Sequence, residues 1–197
     1  LLLRRLYGHL GSTWDADLPA EEKDQWVGWL QDLAKGTAIT MKRTVRPKEA
    51  LGKPKLAGFS DASNEAMCAV VYNIWDTPEG PVPQLLLTKV RVTPVNGTTV
   101  PRAELQAMVM LTRILITAVK TSAAKFSKVT MTTDSLSCQA ALKRSGTELN
   151  PYFANRVAEI KHNIAEVKKD TGQVENLTHV ESKLNPADIG IRMGVKL

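Results

Sequence analysis

The chain has 197 residues, 43% of them hydrophobic, which is enough for one ordinary domain with a sizeable core plus an appendage. A formal charge of +6 suits a polyanionic partner and shifts the reading toward nucleic acid, while saying nothing about fold. No apolar run is long enough to span a bilayer, and Leu1 to Leu3 are followed at once by Arg4 and Arg5, so neither a membrane span nor a signal peptide is read.

The chain begins on Leu rather than Met and is expected to be a piece of a longer polypeptide. Leu2, Leu3, Leu6 and Leu10 stand at helical spacing before Gly11. A second helix is predicted with Asp17 as its cap, Pro19, Glu21 and Glu22 in its first turn, and Trp26, Trp29, Leu30 and Leu33 on one face, a spacing that reads as core packing. Lys42, Arg43, Arg46, Lys48, Lys53 and Lys55 then form a basic stretch broken by Pro47, Gly52 and Pro54, where a domain boundary is placed. Residues 1–53 are expected to form a small helical connection segment and residues 54–197 the main domain.

Leu56 to Ser63 ends an apolar run on Asp61, the pattern of a buried strand whose carboxyl end opens on a ligand crevice. Met67 to Trp75 and Gln84 to Val92 read as two more strands, and short connections predict an antiparallel meander. The third strand then ends at the Asp61 edge. A long helix follows over Arg102 to Lys120 and must start at that edge, which places Glu104 in its first turn. It runs back to feed a strand over Lys128 to Thr133 that points up again, topped by Asp134; Ser135 leads into a short helix, which Asp134 would cap on the plainer reading. Tyr152 to Lys169 is an amphipathic helix with His162 on its solvent side. Val174 to Val180 is predicted as a fifth strand, and Pro186 as the first position of a last helix that carries Asp188.

Topology thus brings Asp61, Glu104, Asp134 and Asp188 toward one crevice. Four carboxylates in one pocket repel and raise one another's pKa, so such a set makes sense chiefly around divalent cations, and oxygen-only ligation selects Mg²⁺ or Mn²⁺ over zinc. Cys68 and Cys138 sit in apolar or small-residue runs and read as reduced core thiols, which fits an intracellular setting.

Asp61 on its strand, Ala103-Glu104-Leu105, Thr133-Asp134-Ser135 and Asn185-Pro186-Ala187-Asp188, in that order, resemble ribonuclease H. Gly58 to Ser63, Pro101 to Leu105, Thr132 to Ser135, Asn155 to Ile160 and His179 to Asp188 are similar to BEL/Pao retrotransposon polyproteins. Trp14-Asp15, Leu18-Pro19 and the Trp26/Trp29 pair resemble the segment joining reverse transcriptase to ribonuclease H in that group. The resemblance implies an α/β fold, a ribonuclease H-like five-stranded mixed sheet flanked by helices. It implies an endoribonuclease that cuts the RNA strand of RNA/DNA hybrids with two Mg²⁺ ions, Mn²⁺ substituting, beside a polymerase domain in the same polyprotein and in a cytoplasmic virus-like particle. By motif, Asp61 would bridge both metals, Asp188 would help hold the one that activates water, and Glu104 and Asp134 the one at the leaving oxygen. Arg102, Ser135, Asn155 and Arg156 are candidates for strand contacts, with an internal ion pair as the competing reading of Arg156. The sequence departs from many relatives in having Glu181-Ser182-Lys183-Leu184 where a loop histidine stands, and His179, placed within the strand, is assigned no role. No basic protrusion precedes the long second helix, so grip on a hybrid is expected to fall to the basic linker or to the polymerase. Three other readings stand beside this one: a transposase or integrase core, a DnaQ-like exonuclease, and a catalytically inert domain that binds hybrid as a structural subunit. The early Glu104 and final Asp188 weigh against the first, the acidic spacing and the lack of the usual basic residue against the second, and the intact acidic set against the third.

Overall fold

A computed structural model of the chain describes residues 15, 17–36, 44–94, 97–175 and 177–192. The helix expected over Leu2 to Leu10 lies outside them, as do Lys42 and Arg43 of the basic stretch. Helix α1 (Ala20–Lys35) starts with Pro19 at the cap position and no side-chain cap bond. Asp17 is therefore not its cap: Pro19, held at φ −52, already occupies that position, and its carbonyl accepts from Lys23 N at 3.0 Å. The rings of Trp26 and Trp29 meet edge to face at 5.3 Å. The expected core packing of this face is corrected, because α1 buries no residue, and Trp29 and Leu33 are 54% and 59% exposed.

Strands β1 (Leu51–Ala62), β2 (Ala66–Thr77) and β3 (Gly80–Val92) form the antiparallel meander, each longer than its apolar run suggested because pairing carries on through polar residues. Strands β4 (Lys128–Thr133) and β5 (Thr178–His179) add on the other side of β1, both parallel, giving the mixed order β3-β2-β1-β4-β5. Of the six described residues of the predicted fifth strand, two are strand, with one bridge at Val174. Its Glu175 pairs with Lys128 at 2.6 Å, and the segment has no outer neighbour to extend its ladder among the described residues.

Between β3 and β4 runs α2 (Val100–Thr121), with Pro101 in its first turn where a missing N–H costs nothing. It crosses β1 at Gly58, where a Cβ would stand 2.7 Å from Leu111 Cδ1, so the absence of a side chain sets how closely helix and sheet approach. Leu56, Val71, Leu105, Met108, Leu111, Leu115 and Val129 fill that interface. Helices α3 (Leu136–Lys143) and α4 (Pro151–Thr171) complete the layer. Asn150 caps α4 by accepting from Phe153 N at 3.1 Å, and Gly172 ends it in the left-handed region at φ 76. Val157, Ile160 and Val167 of its apolar stripe are buried, with Asn163 donating to Thr112 Oγ1 at 3.0 Å across the α2–α4 contact; His162 is exposed, as its place on the helix requires. Both cysteines are buried and unpaired, and burial pushes the Cys138 thiol up to about 12.

The opposite sheet face is covered, among the described residues, by the 3-10 turn Pro186–Gly190, which packs Ala187 against Cys68 and Val70 beside Phe59, Tyr72 and Ile191. An α-helix was expected to start at Pro186; the turn closes instead on Asp188 O, which accepts from Ile191 N and Arg192 N at 3.2 Å each. Gly190 lies so close to Cys68 Sγ that a side chain there would collide with it. No helix of the described residues is long and apolar enough to cross a membrane.

Candidate active site

Strand alternation puts Asp61 on the same sheet face as Phe59, opposite Cys68 on β2 and on the side of the 3-10 turn. Asp61 is buried and accepts from Ala62 N at 2.7 Å. Because β4 is parallel to β1, with Ser60 opposite Thr133, the residue after each strand leaves at the same edge, and there Asp134 stands half-buried. Asp134 does not cap α3. Ser135 does, accepting from Cys138 N at 3.0 Å, which leaves the Asp134 carboxylate free of that duty. Glu104 is the fifth residue of α2 rather than part of its first turn, because the helix starts at Val100, two residues earlier than predicted. Its Oε2 accepts from Ser135 Oγ at 2.6 Å and Ser137 Oγ at 2.8 Å, which ties α2 to the start of α3.

Asp188 sits in the 3-10 turn and pairs with Arg192 through Oδ2 at 2.5 Å. Asn185, at the cap of that turn, is 3% exposed; its Nδ2 donates to Ser60 O at 3.0 Å and to Asp134 Oδ1 at 3.4 Å. Burial pushes the Asp61 carboxyl up from 3.8 to about 7, helped by the charges of Asp134, Asp188 and Glu104 and opposed only by the Ala62 N–H. All four predicted carboxylates therefore share one electrostatic site.

The donor set suits an oxygen-seeking divalent cation, whose charge would offset the burial and the like charges that raise the Asp61 carboxyl. As placed, each carboxylate is turned to its own donor, and among the described residues no three acidic, histidine or cysteine side chains are gathered tightly enough to chelate an ion. The backbone convergence and the charge coupling agree with a metal-binding role, and the rotamers describe carboxylates satisfied by the protein itself.

The strand-contact candidates divide. Ser135 is buried, its hydroxyl shared among Glu104, Ser137 and the α3 cap. Arg102 and Arg156 converge from α2 and α4 on one ring, their guanidinium carbons 4.9 Å and 4.4 Å from the Tyr152 centroid. Arg102 also donates to Gly97 O at 3.0 Å. Among the described residues neither guanidinium pairs with a carboxylate, so the internal ion pair weighed for Arg156 is not formed. Asn155 is exposed one residue before Arg156. Tyr152 is not among the sequence-predicted contacts, although its spacing of four from Arg156 places both on one helix face. His179 was left without a role, and its Nε2 lies 3.1 Å from Asp134 O; only the β4–β5 register, with Thr133 opposite His179, brings it there.

The described part of the basic linker lies at the opposite end of the sheet from the carboxylates. Lys55 pairs with Asp76 at 2.8 Å, and Arg46 lies over Trp75, whose Nε1 donates to Val45 O at 2.8 Å. Lys55 precedes Asp61 by six strand positions, roughly 20 Å.

Residues 1–135 match the family described as Pao retrotransposon-like RNaseH-like domain, a stretch that takes in Asp61, Glu104 and Asp134. No curated protein matches the sequence. Among solved structures, a foamy viral protease-reverse transcriptase in complex with double-stranded DNA is 14% identical and superposes with a TM-score of 0.52 over 91% of this chain and 28% of that one. The RNase H1 of Halobacterium salinarum is 14% identical, with a TM-score of 0.42, over 69% of this chain and 91% of that one. An N-terminal RNase H domain from Mycobacterium tuberculosis is 15% identical, with a TM-score of 0.46, over 70% and 91%.

Proposed function

This chain belongs to the Pao retrotransposon-like RNase H-like family, and from that premise we propose that it is the ribonuclease H of a retroelement reverse transcriptase, cutting the RNA strand of RNA/DNA hybrids. The observation that carries the reading is the placement of four carboxylates, drawn from β1, α2, the end of β4 and the last turn, at one sheet edge where hydrogen bonds tie their elements together. Asp61, Glu104, Asp134 and Asp188 would hold two Mg²⁺ ions, Mn²⁺ substituting. Bound there, such a pair supplies a hydroxide-like nucleophile at neutral pH and neutralises charge on the attacking and leaving oxygens.

The chain's own residues prepare the rest. Ser135 and Ser137 fix Glu104 Oε2 and leave Oε1 outside that pair of bonds. Arg102 and Arg156, stacked on Tyr152 and without acidic partners among the described residues, offer two planar cations to a phosphodiester backbone, with Asn155 beside them. Selectivity for RNA would come from contacts to 2′-hydroxyls across the minor groove. The division into a connection segment, 1–53, and a catalytic domain, 54–197, belongs to the same proposal, as do the polymerase domain in the same polyprotein and the setting in a cytoplasmic virus-like particle. The likeness to a foamy viral protease-reverse transcriptase supports the fold.

The inert reading has one observation in its favour, the turning of each carboxylate to a protein donor. Cleavage of RNA labelled within an RNA/DNA hybrid, in Mg²⁺, separates the two. Internal cuts by the wild type that Asp134→Asn loses are the expected result. A protein that binds the hybrid and cuts nothing in either form is a structural subunit.

A further inference from the structure

One buried amide links the elements that carry three of the four carboxylates. Asn185 sits on neither β1 nor β4, yet its Nδ2 donates to the carbonyl of Ser60, the residue before Asp61, and to the carboxylate of Asp134. Its Oδ1 accepts from Ala187 N at 3.2 Å, and its carbonyl accepts from Asp188 N at 3.0 Å, which closes the turn that presents Asp188. An amide is the side chain that donates and accepts within one plane, and at 3% exposure it has no water to replace either partner. Capping the 3-10 turn requires only the acceptor, which serine, aspartate or asparagine supplies equally well. Nothing in the turn requires the donor half, which reaches out of the turn to β1 and Asp134.

We infer that Asn185 is a positioning residue whose amide N–H₂ sets the Asp188 turn against the β1 edge and holds the Asp134 carboxylate at that same edge. The inference rests on the ribonuclease reading of the site. Gly190 supports the same placement from the far end of the turn, where its bare Cα lets the segment seat on Cys68. The turn is thus held at both ends, by a hydrogen bond that crosses 125 residues of sequence at one and by a close apolar contact at the other.

Two substitutions separate capping from positioning. Asn185→Ser keeps an oxygen for Ala187 N but is too short to reach Ser60 O and Asp134 together; Asn185→Ala loses both functions. Mn²⁺ binding by calorimetry is read beside kcat and KM for hybrid cleavage, with the melting transition as the check on folding. The expected result is that Asn185→Ser behaves like Asn185→Ala: a cooperative melt, Mn²⁺ affinity lowered about tenfold or more, kcat lowered about 100-fold, and KM for hybrid within about twofold. Wild-type Mn²⁺ affinity and kcat in Asn185→Ser, with loss only in Asn185→Ala, would reduce Asn185 to a turn cap and overturn the inference. Wild-type protein that binds Mn²⁺ and cuts no hybrid removes the ribonuclease reading instead, and the calorimetry then decides the role of Asn185 by itself.

Discussion

Helices α1 and α2 carry apolar residues at the same spacing, yet α2 buries ten of its residues and α1 buries none. The difference lies in what each helix is delivered to. A connection from β3 at one edge to β4 on the far side of β1 has to cross the sheet, and α2 is that crossing, so its stripe meets β1 and β2 over its whole length. Helix α1 is joined through a linker that docks at the other end of the sheet by Val45 and Arg46 on Trp75, and α2 with α4 already fills the helical face. Amphipathy therefore forecasts a helix, and connectivity decides whether its stripe finds a surface.

If that contrast is right, function and stability both follow α2. Glu104→Gln removes the charge α2 brings to the site, several kcal/mol of transition-state stabilisation, so hybrid cleavage should fall on the order of 10³-fold, whereas Trp29→Ser in α1 should leave the rate within about twofold. A comparable loss from Trp29→Ser would break the contrast. Next in size is stability: Leu111→Ala opens space against Gly58 and should cost about 3 kcal/mol in urea unfolding.

The sheet edge fed by α2 also sets a pH response. The Asp61 carboxyl is raised from 3.8 to about 7 in the native state, so between those values the folded protein holds a proton that the unfolded chain gives up. Stability of the metal-free protein is then fully present below about pH 4 as far as this group is concerned, and is lost as pH rises toward 7. Asp61→Asn should flatten that fall in a series of melts; an unchanged slope would place the titrating group elsewhere. Mg²⁺ should raise the melting temperature more at pH 8 than at pH 6, because binding has to displace the Asp61 proton at the lower pH. The smallest effect belongs to α1, where Leu33→Ala, at a residue 59% exposed, should shift stability by no more than about 0.5 kcal/mol.

The carboxylate edge was legible because each acid follows from a rule of strand direction. Asp61 lies at the end of β1 and Asp134 just beyond β4, two parallel strands joined by a crossover, and Glu104 lies near the start of the helix that makes the crossing. The α2 start was misplaced by two residues because Val100 and Pro101 lie ahead of the periodic stripe, and Asp134 was open to a capping role because Asp and Ser are equally good caps when they are adjacent in sequence. The fifth strand was overread: Val174 to Val180 has β-rich composition, but pairing needs a continuous partner edge, and β4 contributes only Thr132 and Thr133 to the named ladder. Tyr152 and His179 were missed since each meets its partners only through the packing of separate elements.

Local pattern and chain order were enough to determine the meander, the crossover helix, the parallel return and the edge where the four acids gather, because strand direction and right-handed connection depend on neighbours along the chain. The tertiary structure alone decided which polar group serves which carboxylate: Ser135 and Ser137 for Glu104, Arg192 for Asp188, Asn185 for Asp134. Most of these pairings join residues dozens of positions apart at ångström precision, and only the packed core, which seats α2 on Gly58 and the last turn on Cys68, brings their atoms within reach.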